Sequence, residues 1–170
     1  MSMEKIVISD TNIFIDLISS NMLTAFFSLP CEVYTTDFVK KEIKLSEQKE
    51  ALEHYIENGR LKVIEFDFKE LLKIVELHDN CNTNASLTDC SVWYAAKKMN
   101  CRLLTGDSKL RSVAEKDRVK VSGILYVLDK TIECEIISKA DAALKLERLL
   151  QTNIRLPRKA CEDRIKDWRT

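Results

Sequence analysis

Five short apolar runs punctuate the chain, and their alternation with helical spacing restricts the fold more than any other feature. The runs are KIVI (5–8), CEVYTT (31–36), RLKVIEF (60–66), CRLLT (101–105) and RVKVSG (118–123). Between them, apolar residues recur at helical intervals: Ile13, Phe14, Leu17 and Ile18, then Phe38, Val39 and Ile43, then Val92, Trp93, Ala95, Ala96 and Met99. Strands too apolar to alternate are covered on both faces, and strands separated by helices pair in parallel. The expected fold is therefore α/β, a three-layer α/β/α arrangement around a central, mostly parallel sheet, with extra C-terminal helices. With only three glycines and two prolines, no linker or Gly-rich phosphate loop is available, so 1–170 reads as one domain. Its core spans about 5–121, and a helical extension covers about 123–170.

Local signals place the helix ends. Thr36 or Asp37 caps one helix, Asp67 a second and Ser138 a third, while Ser86 with Asp89 has the form of a capping box. Gly59 follows a charged helix at the position where a left-handed residue closes it. One short helix is expected after Pro157.

Several functional classes drop out on residue chemistry. The six cysteines contain no C-x-x-C pair, which argues against a zinc ribbon or thioredoxin-like chemistry and for reduced, packed thiols. His54 and His78, the two histidines, lie in polar helical stretches with no nucleophile motif beside them. No apolar stretch nears the roughly 20 residues of a membrane span, and no secretory signal is visible. The expectation is a cytoplasmic protein with no membrane contact.

Acidic residues carry the positive evidence. In parallel sheets, functional groups gather beyond the carboxyl ends of the strands, where the strand order reverses. Asp10 ends the first run, Asp107 follows CRLLT, Asp89 opens the helix leading into that run, and Glu42 follows the second run by about a turn. Four carboxylates converging there repel one another unless a divalent cation lies among them. Oxygen-only donors suit Mg²⁺ or Mn²⁺, one or two ions, rather than zinc. Thr11, Asn12, Thr105 and Ser108 stand beside these acids in sequence and supply hydroxyls and amides to orient ligands. Such a site suits hydrolysis of a phosphodiester. Asp16, read as helix surface, and Asp37 and Asp67, read as caps, fall outside the set.

Four stretches, ISDTNIFIDL, VKKEI, LTDCSVWYAA and LLTGDSKLRSVA, taken together resemble the signature blocks of the PIN domain family. That family comprises metal-dependent ribonucleases and includes the VapC-type toxins of toxin–antitoxin pairs. The resemblance covers roughly residues 5–121. It implies Asp10, Glu42, Asp89 and Asp107 as the metal-binding and catalytic acids, with Asn12 and Thr105 as polar support. It also implies an RNA substrate, an antitoxin as a possible partner and a homodimer built through helices. The chain departs from a minimal toxin by continuing through a strong helix from Ser138 onward. A catalytically silent scaffold of the same fold is the alternative, and a haloacid dehalogenase-type phosphatase a weaker one, since Asn12 stands where that chemistry needs a titrating acid.

Charge is uneven although the total is zero. Residues 1–96 are net acidic, whereas 97–120 carry eight basic and three acidic side chains. Within that stretch Lys97, Lys98, Arg102, Lys109 and Arg111 are the candidate RNA-binding residues. Arg155, Arg158, Lys159, Arg164 and Arg169 extend the basic surface into the tail.

Overall fold

A computed structural model describes residues 4–8 and 10–170. Ser9, which follows the first run, lies outside the described residues. The chain begins with β1 (Glu4–Ile8), α1 (Thr11–Ser19), α2 (Leu23–Phe27), β2 (Cys31–Thr36), α3 (Asp37–Glu42) and α4 (Ser46–Glu57). It continues through β3 (Leu61–Ile64), α5 (Phe68–Asn80), α6 (Leu87–Met99), β4 (Arg102–Leu104), α7 (Ser108–Lys116) and β5 (Val121–Ser122). Three helices follow: α8 (Ile124–Glu133), α9 (Lys139–Thr152) and α10 (Arg158–Arg169).

The strands form one sheet in the order β3-β2-β1-β4-β5, and every pairing is parallel. The chain thus starts at the centre, winds out to β3, and returns past β1 to build β4 and β5. Right-handed crossovers put α1–α4 on one face and α5–α7 on the other. Leu103 and Leu104 are successive strand residues, point to opposite faces and are both fully buried, so both faces are covered. On the second face α6 packs across β1, β2 and β4, with α5 laid against it. Gly59, with φ +78°, closes α4 in the left-handed conformation that glycine adopts without strain.

The C-terminal extension is built into the same core. Buried Ala142, Leu146, Leu149, Cys161 and Ile165 belong to the apolar cluster that also holds Phe14, Phe26 and Val33. Lys145 Nζ donates to the carbonyls of Ser20 and Asn21 at 3.2 and 3.1 Å, fastening α9 to the end of α1. All six cysteines are free thiols. Cys90 and Cys161 are fully buried, and burial pushes the Cys90 thiol up to about 12.

Three expectations need correction, and one helix is an addition. The five-residue α2 has no signal in the sequence, because Met22 offers its N-terminus no side-chain cap and LTAFF is too short to display a period. Asp37 does not cap α3; Thr36 does, accepting from the Val39 amide, and Asp37 sits in the first turn. The last helix is not short but spans twelve residues. Asp16 is not on the surface. It is 8% exposed, because the amide of Asn153 reaches it from 137 residues away.

Candidate active site

Sheet order fixes where the site lies. β1 and β4 are neighbours in register, Ile8 opposite Leu104, and the direction of winding reverses between them. Asp10 leaves β1 two residues past its end, and Asp107 leaves β4 three residues past its end. Both therefore emerge at one edge, at the switch in strand order where open α/β sheets carry their ligands.

Three of the four acids serve helix N-termini. Asp10 caps α1, its Oδ1 accepting from the Ile13 amide at 3.0 Å. Asp107 caps α7, its Oδ1 accepting from the Lys109 and Leu110 amides at 2.8 and 3.0 Å. Asp89 completes a capping box at the start of α6: its Oδ2 accepts from the Ser86 amide, and Ser86 Oγ accepts from the Asp89 amide, both at 3.0 Å. Each cap engages one carboxylate oxygen and fixes the side chain. The other oxygen of Asp89 and of Asp107 makes no hydrogen bond among the described residues. Positive helix termini stabilise the charge each acid carries.

Buried hydroxyls tie these helices together. Thr105, 1% exposed, donates to Asp10 Oδ2 at 3.4 Å and accepts from the Asp107 amide at 3.0 Å. One side chain thereby links the acids that end β1 and β4. Thr11 Oγ1 donates to Glu42 Oε2 at 2.8 Å, so the residue after Asp10 orients the fourth acid. A further pair had no sequence signal: Thr36 and Ser91 lie 55 residues apart and their hydroxyls meet at 2.9 Å. Ser91 gives its proton to the Thr88 carbonyl, so Thr36 donates to Ser91. This contact holds the end of β2 against the helix that Asp89 opens.

The acids feel one another. Burial drives the Asp10 carboxyl from the ordinary 3.8 up to about 6; the charges on Asp89 and Asp107 push the same way, against the Ile13 and Thr105 hydrogen bonds. Asp89 is likewise raised, chiefly by burial, with Asp107 and Glu42 adding to it. The electrostatic links therefore join all four acids: Asp10 to Asp89 and Asp107, and Asp89 to Asp107 and Glu42. Among the described residues, no three His, Cys, Asp or Glu side chains are drawn together tightly enough to grip an ion. Carboxylates that raise one another's pKa also resist such closeness.

The remaining candidates separate into groups. Asn12 and Ser108 line a cleft that opens beside the acids, together with Thr105 and Arg111. Lys109 sits in the first turn of α7, with its side chain exposed. Lys97 and Lys98 lie near the other end of α6 from Asp89, about 12 Å along the axis. They are held by Asp117 and Glu70 at 3.4 and 2.9 Å. Arg102 donates to Ser122 Oγ at 2.8 Å and lies over the Tyr126 ring. Trp93 is a core residue whose Nε1–H donates to Asp117 at 2.9 Å. Among the described residues no helix is long and apolar enough to cross a membrane.

Comparison with known proteins gives this geometry a family. A family model described as a PIN domain matches residues 6–170. Over 95 residues the chain is 30% identical to endoribonuclease Nob1 of Methanocaldococcus jannaschii, an alignment covering 56% of this chain and 47% of that one. The chain thus spans about half the length of this curated relative. Among solved structures, VapBC2 from Rickettsia felis, bound to a DNA fragment from its promoter, aligns with TM-score 0.49 and 18% identity. That alignment covers 69% of this chain and 98% of that one. FitAcB from Neisseria gonorrhoeae aligns with TM-score 0.45 and 17% identity, over 68% and 95% of the two chains. The family match runs from residue 6 to the last residue, and the chain belongs to the PIN domain family.

Proposed function

We propose that this chain is a metal-dependent endoribonuclease whose Asp10, Glu42, Asp89 and Asp107 hold a divalent cation and cleave RNA phosphodiester bonds. The observation that carries the reading is the gathering of these acids at the switch between β1 and β4, where Asp10, raised to about 6 chiefly by burial, also feels the charges of Asp89 and Asp107, and Asp89 those of Asp107 and Glu42. Such a cluster weakens a fold that has no use for it, and clustered charge is no part of a scaffold's needs.

The donor set fits a hard cation. All four side chains offer oxygen, the preference of Mg²⁺ and Mn²⁺, and His and Cys are absent from the set. When bound, such an ion supplies neutralising charge and activation of water toward the phosphate. The protein's own groups do the positioning. Thr105 orients Asp10 and Asp107 together, Thr11 orients Glu42, and the capping box holds Asp89. Lys109 and Arg111, on the helix that Asp107 caps, offer cations to the substrate phosphates. Similarity to an endoribonuclease over 95 residues supports RNA as the substrate.

The toxin form of this reading adds an antitoxin partner and a homodimer. The four sequence blocks shared with VapC-type toxins support the first. A small DNA-binding protein encoded next to this chain is the expected finding, and its absence removes the toxin form. For the second, α5 presents Phe68, Leu72 and Val75, which are 74%, 54% and 43% exposed, as one apolar stripe.

The test of the nuclease reading is cleavage of single-stranded RNA with Mg²⁺ or Mn²⁺ and with chelator. Cleavage is expected with metal only. Asp10→Asn and Asp89→Asn are expected to remove it with circular dichroism unchanged. Undiminished cleavage by both variants overturns the assignment.

A further inference from the structure

Beside the acids lies a cleft of about 680 Å³ to which the C-terminal extension contributes. One wall is α1, through Ile15, Asp16 and Ser19; another is the β4–α7 turn, through Thr105, Gly106 and Ser108. The start of α8 also lines it, as does the segment 152–157 from the end of α9 to the start of α10. The β4–α7 turn is the same turn that carries Asp107, and Asn12, Thr105 and Ser108 line the cleft, so it lies next to the acid edge.

The segment 152–157 is fixed in place. Asn153 gives its side-chain amide to both oxygens of buried Asp16, at 3.2 and 2.9 Å. Its side-chain carbonyl accepts from the Arg155 backbone amide at 3.0 Å. One residue thus anchors the segment to α1 and shapes the turn that presents Arg155 to the cleft. Of the six basic residues of the tail, four are engaged elsewhere, Arg158 with Glu162, Lys159 with Asp163, Arg164 with Asp129 and Arg169 with Glu147, and Lys166 lines a different groove between α9 and α10. Arg155 has no side-chain partner among the described residues, and it lines the cleft together with Arg111, whose guanidinium also pairs with Glu115 at 3.4 Å along α7. Leu125, Leu156 and Ile154, the last 92% exposed, add aliphatic surface to the same cleft.

Two guanidinium groups and an aliphatic lining in one cleft match a chain of phosphates whose bases present flat faces of low polarity. Its position next to the acid edge selects which chain. Resting on the nuclease reading above, we propose that this cleft seats a nucleotide of single-stranded RNA adjacent to the phosphate that is cut. Arg155 and Arg111 hold its phosphates, and Ile154, Leu125 and Leu156 cover its base. The extension then acts as part of the substrate-binding surface, as well as of the core.

Binding of a labelled single-stranded RNA, followed by anisotropy in chelator, tests this apart from cleavage. Arg155→Glu is expected to weaken binding about tenfold and to raise KM with kcat little changed. Arg155→Ala is expected to flatten the slope of log affinity against log salt by about 0.7, one phosphate contact. Ile154→Glu, at a position too exposed to disturb folding, is expected to weaken binding severalfold. Lys139→Glu, about 20 Å away at the far end of α9, controls for bulk charge and is expected to bind as wild type does. Wild-type affinity and salt slope in the Arg155 and Ile154 variants, in a chain that cuts RNA, overturn the cleft and leave the nuclease reading standing. Arg155-dependent binding by a chain that cuts nothing upholds the cleft and removes the nuclease reading. A wild-type chain that neither binds nor cuts RNA overturns both.

Discussion

Asp10 and Asp16 lie six residues apart at α1, are each 8% exposed, and have their carboxyls raised by burial. Their surroundings differ in kind. Asp16 meets a neutral amide, and Asn153 lowers its pKa by bonding the charged form. Asp10 has a backbone amide and a hydroxyl that lower its pKa, but also two further acids whose charges raise it on top of burial. A buried carboxylate with its own donor is part of an anchor. One set among other carboxylates is, on the reading proposed above, a charge for a bound cation to neutralise.

The largest expected effect follows from that difference. Replacing Asp10 or Asp89 by Asn keeps the cap and removes the charge, and RNA cleavage is expected to fall by more than about 100-fold, beyond the loss typical of residues that only orient a ligand. Steady-state cleavage rates check this.

Next comes stability in chelator. The gap between 3.8 and about 6 at Asp10 corresponds to about 3 kcal/mol at most. The folded state holds the proton more tightly than the unfolded one, so stability is lost as pH rises from about 4 to about 6 and stays lost above. Asp10→Asn removes this cost. It is expected to be more stable than wild type by up to about 3 kcal/mol at pH 8, with the difference gone below pH 4. Urea unfolding across pH measures it, and a variant less stable than wild type at pH 8 breaks the comparison.

The anchor responds in the opposite sense. Asn153→Ala leaves the Asp16 carboxylate buried without its donor, at a cost of about 1.5–3 kcal/mol for a hydrogen bond to a charged group. Because the lost bond favours the charged form, the deficit is expected to grow with pH, mirroring the gain from Asp10→Asn. A deficit independent of pH would show that Asn153 matters for packing alone.

Much of this was legible in the sequence because it is encoded locally. Asp67, Ser86 and Ser138 cap the helices they precede, and CEVYTT coincides with β2 from end to end. Asp10, Asp89 and Asp107 could be singled out because each stands just past a strand or at a helix start, whereas Glu42, the last residue of α3, had only its distance of about a turn from β2. What escaped is encoded by distance. Asp16 follows the helical period of α1 as a polar position, and only Asn153 explains its burial. The Thr36–Ser91 contact spans 55 residues, and the cleft exists because 152–157 folds back over α1. Basic residues were legible as charge but not as partners: Lys97 and Lys98 are held by Asp117 and Glu70, whereas Arg155 is left facing the cleft.

Mn²⁺ uptake, followed by loss of the free-ion paramagnetic resonance signal, tests the central claim most directly. The wild-type chain is expected to take up the ion at neutral pH, Asp10→Asn and Asp89→Asn to bind it at least about tenfold more weakly, and Asp16→Asn to bind it as wild type does. Equal uptake by wild type, Asp10→Asn and Asp89→Asn would contradict the claim that these acids share a cation.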